Sequence, residues 1–484
     1  MNSVLFLVVI PLLGTFISLF NKKVKEMTFL ITLFNELFTI YIMTSVSLPK
    51  LAIIGGFIPP YGINFVLTDL SVLFIFLVNT AGLISMFVNN EKKSSKFYSV
   101  YLVLLAANNG LVLTGDLFNM FIFLELSTFA ITALITYKKN KVSSGTGIKY
   151  LILSSVSSSF LLIGIGIIYK TLGTLNIADI AGKLNLLSAP TLSLIILLIF
   201  AGILVEIEIF PFNIWVPKAY ISADLSVNVM LFGILGSSAS YVMARVIFTM
   251  LSVNHDGKLA NLGLRNVITI FAVLTIIISE LAAYSEKKMK KILAFSSMGQ
   301  MGLILYGFIL ANKDGIIGAL ILVTANFLSK IVLLILNGEF EKISGSDDYR
   351  YYKGIGRDNK IAGIAFTIAA LSLMGIPLTA GFIGKLNLIE GAVSLGGINL
   401  YIVAAILAVS VVEGIYFLKI SHSLFLPKEK EFDSSIKYST LFIALILSAL
   451  IVIIGLLPNI TNNFVNAANE ILNSTNNYIN VIIH

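Results

Sequence analysis

The chain has 484 residues, 57% hydrophobic and only 12% charged, with 33 Lys+Arg against 25 Asp+Glu and no cysteine. A soluble protein of this size is about a quarter charged, so the composition excludes a soluble globular domain. The apolar runs are continuous, which excludes the alternating segments of about ten residues that build a membrane β-barrel. Without cysteine, disulfides, thiol chemistry and cysteine-ligated iron–sulfur centres within the chain are excluded too.

In chain order, apolar segments fall near 3–21, 27–47, 68–89, 97–114, 116–136, 148–171, 191–217, 225–250, 266–285, 290–311, 315–337, 361–391, 398–420 and 438–457. Roughly 20 apolar residues cross the hydrocarbon as a helix. The pattern therefore predicts an all-α polytopic membrane protein of about 14 transmembrane helices, with residues 1–484 forming a single transmembrane domain. The first segment, "VLFLVVIPLLGTFISLF", is followed by its charges instead of preceded by them, so it reads as a retained helix and not a signal peptide. The fourth and fifth segments nearly fuse at "TGDLFNM".

The links after odd-numbered helices are basic: "NKKVK", "EKKSSK", "YKKNK", the lone Lys218, "EKKMKK", and the stretches 341–360 and 419–437. They hold most of the 33 Lys and Arg residues; Lys50, Lys170, Lys183, Arg245, Lys258, Arg265 and Lys313 fall on the other side. Positive charge stays in the cytoplasm, so the chain is expected in the cell membrane with both termini facing outward. The net charge of +8 is then a topology signal, and nucleic acid is not a partner. The link 338–360 has room for little more than a short helix. The polar tail 458–484 is Asn-rich, carries the sequon-like "NIT" and "NST", and reads as a short interfacial segment.

Glu125, Glu206, Lys330 and Lys385 stand at mid-depth in these segments. Each costs about 2.5–3.5 kcal/mol at the bilayer centre, or about 10 kcal/mol together. Such groups face the protein interior or water, either as ion pairs that only fix packing or as stations on an ion route. Three prolines, Pro211, Pro217 and Pro377, lie in or at the ends of the segments that carry Glu206 and Lys385. Proline removes a backbone donor, and open backbone at membrane depth is tolerated only inside protein or beside water. Two interrupted helices, each with a charge near the interruption, match the pattern of transporters built from inverted repeats.

Glu206 and Glu208 are two residues apart, so on a helix they point about 200° apart. One faces the interior route and the other is expected to meet a neighbouring helix or subunit. Asn326 and Lys330 are four apart and share a face. Ser237, Ser238 and Ser240 suit a water lining or close helix packing equally well. Asp116 reads as a helix cap, and Glu36, Glu280, Glu390 and Glu413 have no assignment. The histidines, His255, His422 and His484, lie away from mid-depth, so no histidine metal site or relay is expected. The sequence carries no P-loop, dinucleotide fingerprint or nucleophile motif.

The stretches "GGFIPPYGINFVLTDLS", "TGDLFNMFIFLELS", "EIEIFPFNIWVPKAY", "KKMKKILAFSSMGQMGLIL" and "LMGIPLTAGFIGKLNLI" resemble the antiporter-like family. That family comprises proton-pumping subunits of respiratory complex I, the Mrp-D component of multisubunit Na⁺/H⁺ antiporters, and matching subunits of membrane-bound energy-converting hydrogenases. The likeness runs from about residue 50 to 425, and "PPYGI" resembles the Mrp-D and hydrogenase branch most. It implies 14 helices with two inverted five-helix repeats, near 97–250 and 266–420, and broken helices 7 and 12. It also implies a row of ion-translocating residues, onto which Glu125, Lys330 and Lys385 map. Glu206 stands where the resemblance implies a helix-7 lysine, Ser237 where it implies a helix-8 lysine, and Leu322 and Asn326 where histidines are common. Glu125 would then face Glu206, and two close carboxylates share a proton or Na⁺.

The function implied is an ion-translocating subunit for H⁺ and/or Na⁺ within a multisubunit complex. Glu206 is its protonatable or cation-binding station, Ser237, Asn326 and Glu208 a possible water path, and Pro211, Pro217 and Pro377 the helix breaks. Two alternatives stay open: a non-conducting structural subunit of such a complex, since two lysines are missing, and a free-standing antiporter. The expected partners are H⁺ or Na⁺, other integral membrane subunits and lipid. No cofactor and no catalytic site are expected in this chain, so electrons would be handled by partners.

Overall fold

The computed structural model describes residues 3–88, 93–247, 263–427, 436–457 and 462–472. The end of the predicted 225–250 segment, His255, Lys258, both sequon-like triplets, His484 and most of the 458–484 tail lie outside the described residues. Within them the chain is mostly helical and integral to the membrane. Eleven described helices, from Val24–Ser45 to Tyr438–Leu456, are long and apolar enough to cross a bilayer, and Phe6–Phe20, Ala189–Ile203 and Lys360–Met374 are shorter apolar helices.

The Lys313–Ser344 helix is the central post. Asn312 caps its start by accepting from the Gly315 N–H, and Gly345, in the left-handed region at φ 74°, closes its end. Every residue from Gly315 to Phe340 is buried, as expected of a helix that is apolar all round. Around it pack Met289–Leu310, Lys360–Met374, Ala380–Leu395 and Tyr438–Leu456. The outer helices turn bulky side chains such as Phe16, Leu37, Val411 and Phe442 outward, where lipid tails receive them without cost.

The links sort by parity. At one end Asp224 holds Lys93 at 2.7 Å and Lys138 at 2.8 Å, and Lys290 pairs with Glu341 at 2.7 Å. Burial pushes the Asp224 carboxyl up, but the two lysines outweigh it and leave the group below the usual carboxylate range. Nearby, burial pushes Asp347 up to about 6, against the pull of Lys290 and a bond from Asn337. At the other end a hairpin, Lys50–Ile53 against Asn64–Leu67, bridges to Thr114, while Asp116 bridges to Asn176.

That hairpin is an addition to a chain that is mostly helical, as expected. Gly55 and Gly56, both at positive φ, and the Pro59–Pro60 pair interrupt the link between the second and third spans, so its apolar residues pair as two short strands and not as a helix. Two of the apolar segments divide. In the seventh, helix Ala189–Ile203 stops, non-helical turns run to Trp215, and Val216–Ser222 starts with Pro217 in its first turn. In the twelfth, Lys360–Met374 ends at Gly375 (φ 79°), and Ala380–Leu395 begins after Leu378, also left-handed at φ 73°. A third irregularity is a π-helical turn, Met230–Leu235, leading into helix Gly236–Arg245; such turns favour functional sites.

Candidate ion-translocation site

Opened backbone at the seventh segment is satisfied locally. The Phe210 N–H donates to Thr275 Oγ1 at 3.0 Å, and the Asn213 side-chain amide donates to the Glu208 carbonyl at 3.0 Å. Glu206 is buried within a cage of hydroxyls. Thr128 donates at 3.1 Å, Ser154 at 3.0 Å, and Tyr150 to both carboxylate oxygens at 3.1 and 2.9 Å. The Tyr150 ring is fixed in turn against Trp215, centroid to centroid 4.2 Å. Glu125 is half-buried one turn from Thr128 and close enough to act on the Glu206 charge electrostatically.

Glu208, like Glu206, is buried, and it meets the neighbouring helix Met289–Leu310 through Ser297. The helix has ended at Ile203, so the 200° separation does not apply, and Glu208 is itself left-handed at φ 57°. Its carboxylate turns inward to a cavity shared with Ser237, Ser240, Ser297 and Asn326. Ser297 donates to it at 3.4 Å, and Lys330 lies within its electrostatic reach. Ser237 and Ser240 line the cavity, while Ser238 bonds Asn108.

Lys330 is 1% exposed and donates to the Leu293 carbonyl at 3.2 Å; its ammonium lies 5.8 Å from the Phe417 ring centroid. It shares the field of Glu208, Glu280 and Glu413. Glu280 accepts from Tyr416 OH at 2.7 Å. Glu413 accepts from Gln300 at 2.9 Å and pairs with Lys385 at 2.9 Å, both partners almost fully buried. Lys385 also donates to Ser410 at 3.3 Å. Two glycines make room for these groups: a Cβ at Gly299 would collide with a Glu280 oxygen, and one at Gly375 would press on the Lys385 stem.

The predicted residues thus gather into one polar band: Glu125 and Glu206 at one end, Glu208, Ser237 and Asn326 at the centre, Lys330 and Lys385 at the other. Glu280, Glu413, Tyr150, Tyr416 and Gln300 belong to it and were not assigned from sequence. For the two glutamates the signal was available, since each is a carboxylate inside an apolar run. Glu390 is exposed and stands apart. Glu36, buried, accepts from Thr80 at 2.8 Å, beside a separate amide cluster in which Asn109 donates to Asn79 at 3.0 Å and Asn79 to Thr39 at 3.1 Å.

Comparison with known proteins agrees with the helical membrane fold. Residues 114–411 match the family described as NADH:quinone oxidoreductase/Mrp antiporter, TM, and the chain belongs to that family. The D component of the Na(+)/H(+) antiporter of Alkalihalophilus pseudofirmus is 28% identical over 473 residues, covering 94% of each chain. Among solved structures, a chain of the archaeal membrane-bound sulfane sulfur reductase superposes with a TM-score of 0.92 at 27% identity over all of both chains. A chain of the Mrp complex from Dietzia sp. DQ12-45-1b shares the fold, with a TM-score of 0.90 at 21% identity over 100% of this chain and 99% of that one.

Proposed function

We propose that this chain is an ion-translocating, antiporter-like membrane subunit of a multisubunit complex, moving H⁺ and/or Na⁺ along the buried band from Glu125 to Lys385. The observation that carries the reading is the band itself. Titratable groups from separate helices meet at membrane depth, each beside a hydroxyl, an amide or an opposite charge, with a polar cavity midway. A charge moving from one station biases the next by about 4 kcal/mol at 4 Å and an effective dielectric of 20. The chain then acts with partner subunits like those of the Mrp and sulfane sulfur reductase complexes it resembles, which would handle any electron transfer.

The finer architecture belongs to the same proposal: 14 spans, two inverted five-helix repeats near 97–250 and 266–420, broken seventh and twelfth helices at Pro211, Pro217 and Pro377, and a polar tail 458–484. Both termini face outward from the cell membrane. The meeting of Lys93, Lys138 and Asp224, from three links of the same parity, supports the alternation. A second reading, a non-conducting scaffold, is favoured by Glu206 and Ser237 standing in positions where lysines were implied.

Reconstituted transport decides between them. The assembled complex, carrying Lys330→Ala or Lys385→Ala in this chain, is expected to lose more than about tenfold of its ion flux while still assembling. Unchanged flux with either variant leaves the scaffold reading.

A further inference from the structure

Asp224 stands at the N-cap of helix Leu225–Val229, where an aspartate ordinarily accepts from the first backbone N–H groups, yet its side chain makes no such bond. Its carboxylate turns away instead, to Lys93 at 2.7 Å and Lys138 at 2.8 Å. Lys93 is almost fully buried. Its ammonium lies 5.9 Å from the Phe97 ring centroid and 5.5 Å from that of Tyr137, and the Tyr137 hydroxyl accepts from the Ser94 N–H at 2.9 Å. Three links of the same parity thus close on one carboxylate, and the helix start that carries it goes without its side-chain cap.

That anchorage extends to the band. Asp224 ends a segment that begins at Trp215 and is mostly helix Val216–Ser222, seven residues and about 10 Å long. Trp215 packs against Tyr150, centroid to centroid 4.2 Å, and Tyr150 donates to both oxygens of Glu206. Trp215 is 2% exposed and its indole N–H has no acceptor, so the backbone behind it and the ring beside it hold it in place. On its other side the chain runs through non-helical turns from Leu204, which yield to a shift of the segment. Packing on Lys141–Leu172 and Met289–Leu310 confines the short helix sideways, but packed helices still slide along one another by small shear motions. Its axial position is set at the Asp224 end, where Asn228 also donates to the Tyr220 carbonyl at 2.9 Å.

We propose that Asp224 is a positioning residue for Glu206, acting through helix Val216–Ser222 and Trp215 to set where the Tyr150 hydroxyl meets the carboxylate, a role whose effect on transport rests on the ion-translocating reading. Lys93 and Lys138 are its anchors.

Trp215 is the chain's single tryptophan, so its fluorescence in the purified full-length chain reports the middle of this linkage, and ion flux through the reconstituted complex reports its end. Asp224→Asn is expected to move Trp215 emission to longer wavelength as the ring loosens, and to lower flux about tenfold, since misplacement by about 1 Å costs up to about a hundredfold. Asp224→Glu, which keeps the charge, should restore most of both. Lys138→Gln removes one anchor only; it should give the same changes at smaller size and carries the test if Asp224→Asn fails to fold. Asp179→Asn breaks a comparable pair with Lys183 at 2.8 Å in another link and should alter neither readout. In a Tyr150→Phe background, Asp224→Asn should lower flux no further. Wild-type Trp215 emission from folded Asp224→Asn and Lys138→Gln would overturn the proposal, even with a lowered melting temperature, and would leave the translocation reading standing if the wild-type complex moves ions. Shifted emission with undiminished flux would overturn the connection to Glu206. Shifted emission in a complex whose wild type moves no ion would remove the translocation reading and keep Asp224 as the anchor of Trp215.

Discussion

The two ends of the polar band solve the same problem by different chemistry. At the Glu206 end the charge is solvated by neutral donors, with three hydroxyls around one carboxylate, and the neighbouring groups Glu125 and Glu208 are of like sign. At the Lys385 end charge is answered by charge, in a buried Lys385–Glu413 pair that continues to Gln300. Hydroxyls can turn to follow a charge that comes and goes, whereas an ion pair holds a fixed balance and resists the loss of either member. The first end is therefore expected to tolerate neutralisation and the second to break.

Substituting both ends tests this contrast, with the largest effect at the ion pair. Lys385→Ala strands Glu413 and is expected to cost about 3–5 kcal/mol, seen as a lower melting temperature of the complex together with lost flux. Glu206→Leu should come next, at about 1–3 kcal/mol in all, because the hydroxyls of Thr128, Tyr150 and Ser154 lose their shared acceptor but can turn toward other acceptors. Glu206→Gln keeps an acceptor for those donors, so stability is expected to stay within about 1 kcal/mol of wild type while ion flux falls. Equal melting temperatures for Glu206→Leu and Glu206→Gln would refute the cage.

The smallest effect lies outside the membrane. Asp347 binds its proton more tightly folded (about 6) than at its ordinary value of 3.8. Its contribution to stability is therefore full below about pH 3.8 and lost as pH rises through about 6. Asp347→Asn should flatten that segment of the stability–pH curve, measured as melting temperature in detergent.

Much of this was legible in the sequence, for a physical reason. Lipid demands long apolar helices, so composition alone marked the spans, and a lysine such as Lys330 within one is conspicuous because it is costly. What escaped depends on which faces meet. Glu413 was visible as a carboxylate, but only the approach of helix Ala380–Leu395 to Ile398–Phe425 makes it the partner of Lys385. The inward burial of both Glu206 and Glu208 escaped because helical periodicity was extended past Ile203, where the backbone has already left the helix. The hairpin at Lys50–Ile53 is too short to outweigh its helical surroundings in any pattern of hydrophobicity.

Glu125 is half-buried midway along a helix that also exposes Phe118, Ile122 and Phe129. A copy of this chain alone in the bilayer would present part of that carboxylate to hydrocarbon, at a cost of up to about 2.5–3.5 kcal/mol. Docking against a companion subunit removes that penalty. Orphan copies should thus be short-lived in the cell, their abundance following that of whichever protein covers this helix.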